Sequence, residues 1–159
     1  MTALKTRPAP AGTAYADDFY TWTQEQGARL RAGDVSGLDR ENLAEEIESL
    51  GRSQYDSLVS LWRVVLLHML KFDYQPERRS RSWTVSIRMH RNRAADVLED
   101  NPGLKSRLVQ AFERAYRDAR EEAAAETGLP LRLFPKECPY SREELLTRPF
   151  SADPEDTSD

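Results

Sequence analysis

The chain is poor in the residues that usually carry chemistry. Its 159 residues include one cysteine, Cys138, and two histidines, His68 and His90. No disulfide can form within it, and cysteine-rich zinc spacings are absent. Long apolar runs are missing as well. The longest, Val64 to Leu70, is interrupted by His68 and falls far short of the roughly 20 residues of a membrane-crossing helix. Met1 to Ala14 carries Lys5 and Arg7 and then proline and glycine where a secretory signal would be apolar. That stretch predicts a disordered leader on a cytoplasmic protein. Neither charge dominates: 27 acidic residues face 23 basic ones, a net charge of -4, which argues against nucleic-acid binding driven by the whole molecule. Glycine-rich phosphate loops, Gly-x-Ser-x-Gly elbows and paired catalytic carboxylates are also missing. Catalysis therefore has no positive support in the sequence, and no cofactor is implied.

What remains is helical periodicity. Strand alternation, hairpin dipeptides and fixed-period repeats do not occur. Ala16 to Gly33 predicts a first helix, capped by Asp17 or Asp18, with Phe19, Trp22, Thr23, Gln26 and Leu30 inward. A second, very long helix follows Asp39 and runs through Lys71, with Leu43, Ile47, Leu50, Gln54, Leu58, Leu61, Val65, His68 and Phe72 on one face. Gly51 is the one place that offers a break and is read as tolerated. From Leu61 to Leu70 apolar side chains surround the helix, so neighbours must cover it on all sides, within the chain or in a homodimer. A third helix starts at Ser80 or Ser82, with Trp83, Ile87, His90, Ala94, Val97 and Leu98 inward. A fourth runs from Pro102 to about Glu126, and Gly128 ends it. Ser141 and Glu144 form a capping box for a short helix near Arg142 to Leu146. The expectation is an all-α fold: a single domain over residues 15–150, a bundle of four to five helices around the second, then an acidic disordered tail over 151–159.

The strongest compositional bias lies at Lys71 to Arg93. Lys71, Arg78, Arg79, Arg81, Arg88, Arg91 and Arg93 face only Asp73 and Glu77, with Phe72, Tyr74 and Trp83 interleaved. Guanidiniums beside aromatic rings suit bidentate contacts to carboxylate or phosphate. Arg78, Arg79, Arg81, Trp83 and Arg88 are therefore candidates for binding an acidic protein partner or a phosphate-bearing ligand. The competing expectation is that they pair with the chain's own acids at Asp39, Glu41, Glu45, Glu46 and Glu48.

His68 and His90 fall on inward stripes of consecutive helices, at axial levels about 5 to 8 Å apart by the helical rise. Histidines on facing helices with carboxylates build metal sites, and Glu45 and Glu46 are the candidate acids. A metal-dependent enzyme built on this pair is the alternative to an interaction module. It requires a bend at Gly51, because Glu46 and His68 lie about 33 Å apart on a straight helix. Val65 and Ile87 stand where a Glu-x-x-His motif would place glutamate. Cys138, flanked by Glu137 and Pro139, reads as a small apolar filler rather than a nucleophile.

The segments DFYTWT (18–23), LDRENLAEEIESLGR (38–52), LLHMLKFDYQPERRSRSW (66–83) and FPKECPY (134–140) together resemble a bacterial family known as domain of unknown function 29. The resemblance spans about residues 15–150. It implies a small, largely helical protein and no catalytic residues to carry over.

Overall fold

The structure, a computed structural model, describes residues 12–152. They form five α-helices: α1 (Phe19–Ala32), α2 (Arg40–Tyr74), α3 (Arg81–Asp100), α4 (Leu108–Thr127) and α5 (Arg142–Thr147). Short 3-10 turns occupy Pro76–Arg78, Pro102–Arg107 and Leu131–Leu133, and the described residues contain no strand. The all-α expectation holds. No helix among these residues is long and apolar enough to cross a membrane. Most of the expected leader, and the tail beyond Ala152, lie outside the described residues. Thr13, assigned to the leader, donates its backbone N–H and its hydroxyl to Glu25.

The chain divides into two compact units, Met1–Gly51 and Arg52–Asp159. In the first, the Asp18 carboxylate caps α1 by accepting from the Thr21 N–H at 3.0 Å, and Gly33 closes the helix at φ 72°, a left-handed geometry that glycine adopts without strain. The turn into α2 is held by polar groups. Buried Gln26 accepts from the Asp39 N–H at 2.8 Å, and the Asp39 carboxylate accepts from the Trp22 indole and the Asn42 amide. Glu46 accepts a hydrogen bond from Tyr15. The expected inward stripe is only partly buried. Trp22 and Gln26 are covered, whereas Phe19 and Leu30 of α1 and Ile47 and Leu50 of α2 are more than half exposed.

α2 stays helical through Gly51. In the second unit its remaining turns become the core. Leu58, Trp62, Val65, Leu66, Met69 and Leu70 are buried on every side of the helix, joined by Ile87 and Ala94 of α3, Ala111, Ala115, Tyr116, Ala119 and Ala123 of α4, Phe134, and Leu145 of α5. Alanines at four-residue spacing let α4 approach α2 closely. Polar contacts between these two helices flank the core, Arg63 with Glu122, Lys71 Nζ with Glu126 at 2.6 Å and Arg114 Nη1 with Asp56 at 2.7 Å, and just past α2 the Gln75 amide donates to the Thr127 carbonyl at 3.2 Å. The fourth helix departs from expectation at its start, where Pro102–Arg107 winds as a 3-10 turn before α4 begins. Gly128 ends α4 in the left-handed conformation, and the Ser141–Glu144 capping box opens α5.

Candidate functional site

Pro76 stops α2, because the residue before a proline is driven from helical geometry and Gln75 adopts φ -130°, ψ 63°. The chain reverses through one 3-10 turn and restarts as α3. Arg81, Thr84, Arg88 and Arg91 recur there at three- and four-residue intervals, so they share one helix face. That face and the segment Pro149 to Ala152 enclose a groove of about 510 Å³ lined by Arg81, Arg88, Arg91, Val85, Phe150 and their neighbours. Among the described residues no acidic side chain lines it.

The arginines of this region divide into two sets. Arg91 donates from Nε, Nη1 and Nη2 to the carbonyls of Leu145, Arg148 and Glu144 at 2.6, 2.8 and 3.0 Å. It thereby ties α3 to carbonyls in the last turns of α5 and just beyond it, where the Glu144 carbonyl also accepts from the Arg148 N–H. Arg79 donates to the Phe72 carbonyl at 2.8 Å and lies over the Phe72 ring. Arg148 grips Asp73 through both guanidinium nitrogens at 2.8 and 2.7 Å, and the Tyr140 hydroxyl adds a third bond to the same carboxylate. Burial alone would raise the Asp73 carboxyl, but the hydrogen bonds from Arg148 and Tyr140 and the Arg148 charge hold it below its ordinary value. Burial, then the bond to Asp73, pushes the Tyr140 phenol far up. Phe150 packs edge-on against Phe72 at 5.0 Å, with Arg148 4.7 Å and Arg91 5.5 Å from its ring. These contacts fix the C-terminal wall of the groove.

The second set comprises Arg78, Arg81 and Arg88, all exposed. Arg81 and Arg88 line the groove, and neither side chain makes a hydrogen bond or ion pair among the described residues. Two exposed guanidiniums seven residues apart on one face, with an aromatic wall opposite, can receive carboxylate or phosphate oxygens bidentately. Of the five arginine-segment candidates, the groove brings together Arg81 and Arg88. Arg78 sits on the preceding turn, and Arg79 closes the end of α2. Trp83 is half-buried, with the Lys71 ammonium 4.9 Å from its ring centre, so the chain's own cation lies against that ring.

The histidines are turned toward their own helices. His68 Nδ1 lies 2.8 Å from the Val64 carbonyl, and His90 Nδ1 lies 2.8 Å from the Ser86 carbonyl. A carbonyl only accepts, so Nδ1 carries the proton in each ring. Burial first, then the charges of Lys71 and His90, lower the His68 pKa against the opposing pull of Glu126. Among the described residues no three His, Cys, Asp or Glu side chains converge in a group able to hold a metal. α2 is helical through Gly51, and Glu45 and Glu46 belong to the first compact unit while both histidines belong to the second. Cys138 is half-buried and its thiol is pushed up to about 11 by burial, which removes the thiolate a nucleophile needs at neutral pH.

Sequence reasoning gave Tyr140, Arg148 and Phe150 no role and counted Asp73 only as an offset to the basic segment. The partners lie far apart along the chain, and the segments holding Asp73 and Tyr140 stood out only for their resemblance.

No curated protein and no solved structure matches the chain. A family model described as Domain of unknown function DUF29 matches residues 14–151. That span takes in both compact units down to Gly51 and beyond it, together with α3 and the aromatic wall that forms the groove. The chain belongs to the DUF29 family.

Proposed function

We propose that this chain is an interaction module whose α3 groove receives carboxylate side chains of an acidic protein segment, gripped by Arg81 and Arg88. One observation carries the reading: among the described residues these two guanidiniums line a groove without acidic side chains and make no ion pair, while Arg79, Arg91 and Arg148 hold the fold together. An arginine retained for stability would be expected to reach an internal acceptor, as those three do.

Anisotropy of a fluorescein-labelled hexaglutamate peptide, titrated with the protein at low salt, tests it. Saturable binding is expected, falling at least tenfold in the Arg81→Glu/Arg88→Glu variant. Unfolding of that variant in urea should shift by no more than about 0.5 kcal/mol, because the exchanged side chains are exposed and unpaired. A large stability loss would mean that the arginines serve the fold. Failure of hexaglutamate alongside saturable binding of a phosphoserine peptide would move the ligand class to phosphate.

A further inference from the structure

Independently of the α3 groove, we infer that α4 carries a second interface, at which two copies of this chain pair across a two-fold axis. Val109, Glu113, Arg117 and Glu121 follow one another at four-residue intervals, so they form a ridge about 18 Å long on the outside of α4. Beside it Phe112, Tyr116 and Arg120 form an inner row, and Lys136 to Cys138 with Arg142 make the far wall of a groove of about 550 Å³. The floor is fixed. Tyr116 is buried and its hydroxyl donates to the Pro135 carbonyl at 2.5 Å, Arg120 donates to the carbonyls of Phe134 and Leu131, and Phe112 packs edge-on against Trp62. The ridge is open. Val109 is 57% exposed, and the exposed Glu113 and Glu121 side chains make no hydrogen bond or ion pair among the described residues. Arg117 reaches only its chain neighbour Asp118.

The charges name the occupant. Among the described residues the charged side chains lining the α3 groove are all basic, whereas those here alternate: Glu113, Arg117 and Glu121 along the ridge, Lys136 and Glu137 across from it. A ligand of one sign would meet repulsion along much of such a groove. An isologous contact sets residue i against j and j against i, so it requires both signs on one surface. A two-fold axis midway between Glu113 and Arg117 places each Glu113 against Arg117 of the second copy, and it keeps Phe112 about 4.5 Å from the axis along the helix. The ridge of each copy then enters the groove of the other, as rows at four-residue spacing favour. An axis centred on Arg117 would bring the two Arg117 side chains together and set Glu113 against Glu121. An axis between Arg117 and Glu121 would pair opposite charges but carry Phe112 about 10.5 Å away. Charge and aromatic floor therefore agree on one register.

Sedimentation velocity on the full chain across a dilution series tests this. The wild-type chain is expected to pass reversibly from monomer to dimer as concentration rises. Glu113→Arg and Arg117→Glu each set like charges together twice, so each should raise the dimer dissociation constant at least about tenfold. Far-UV circular dichroism of both variants should keep the wild-type helix content, because the two positions are exposed. The two variants mixed in equal amounts should form the dimer again, since the arginines of one copy then face the glutamates of the other. A wild-type chain that stays monomeric at every concentration overturns the inference and leaves the groove to another partner. A dimer that survives both charge reversals, or that the mixture does not restore, also overturns it, because the contact then lies on another face.

Discussion

Asp73 shows how a single residue ties distant segments together. Its carboxylate gathers Arg148 and Tyr140 from the C-terminal third onto the end of α2, and neither partner is visible from the sequence around it. Because hydrogen bonds from Arg148 and Tyr140 hold its folded pKa below the ordinary 3.8, its contribution to stability is present above that value and lost as pH falls through the folded one. Asp73→Asn should therefore cost stability at pH 7, and the gap between variant and wild type should close toward pH 3. Urea unfolding at the two pH values measures it, and a gap that persists unchanged would show that the charge is not what matters. The same contrast explains the arginine segment. Its bias was plain in the sequence, but the division into Arg79 and Arg91, which donate to carbonyls, and Arg81 and Arg88, which do not, depends on acceptors up to 57 positions away.

Helices are where local signals worked best. Asp18, Gly33, Gly128 and the Ser141–Glu144 box act within a few residues of themselves, so their ends could be read directly. Two glycines separate backbone need from mere tolerance. Gly51 lies inside α2 and an added Cβ there would meet no atom within 4 Å. Gly51→Ala should stabilise the protein by about 0.5–1 kcal/mol. Gly128 sits at φ 70°, where an L side chain is strained, so Gly128→Ala should cost about 1 kcal/mol. Urea midpoints of the two variants, moving in opposite directions, are the expected outcome. The start of α4 was less legible. Proline at the head of a helix fits α and 3-10 geometry alike, and nothing local distinguishes them over Pro102–Arg107.

At the scale of the whole molecule, apolar burial is uneven. In the unit Met1–Gly51 the only fully covered large apolar side chain among the described residues is Trp22, accompanied by polar Gln26 and Asp39, while Ile47 is 65% exposed. The unit Arg52–Asp159 holds a continuous core from Leu58 to Leu145. Native-state amide exchange should accordingly be slowest in α4 and over Leu58 to Leu70, and faster in α1 by tenfold or more. Equal protection in α1 and α4 would show that the first unit is stabilised by something other than its own burial. The sequence by itself determined the all-helical class, the helix ends and the need to enclose Leu61 to Leu70, because periodicity, caps and an all-round apolar surface are local properties of a chain. It could not say that Ile47, Leu50 and Gln54 of the second helix's stripe are exposed, since amphipathicity shows that a face wants burial and not whether a neighbour arrives. Only the tertiary structure decided that, and only it set Phe150, Ser151 and Ala152 in one groove with Arg81 and Arg88. The groove is made by segments nearly sixty residues apart, and a local property of the chain cannot say which of its arginines find acceptors there.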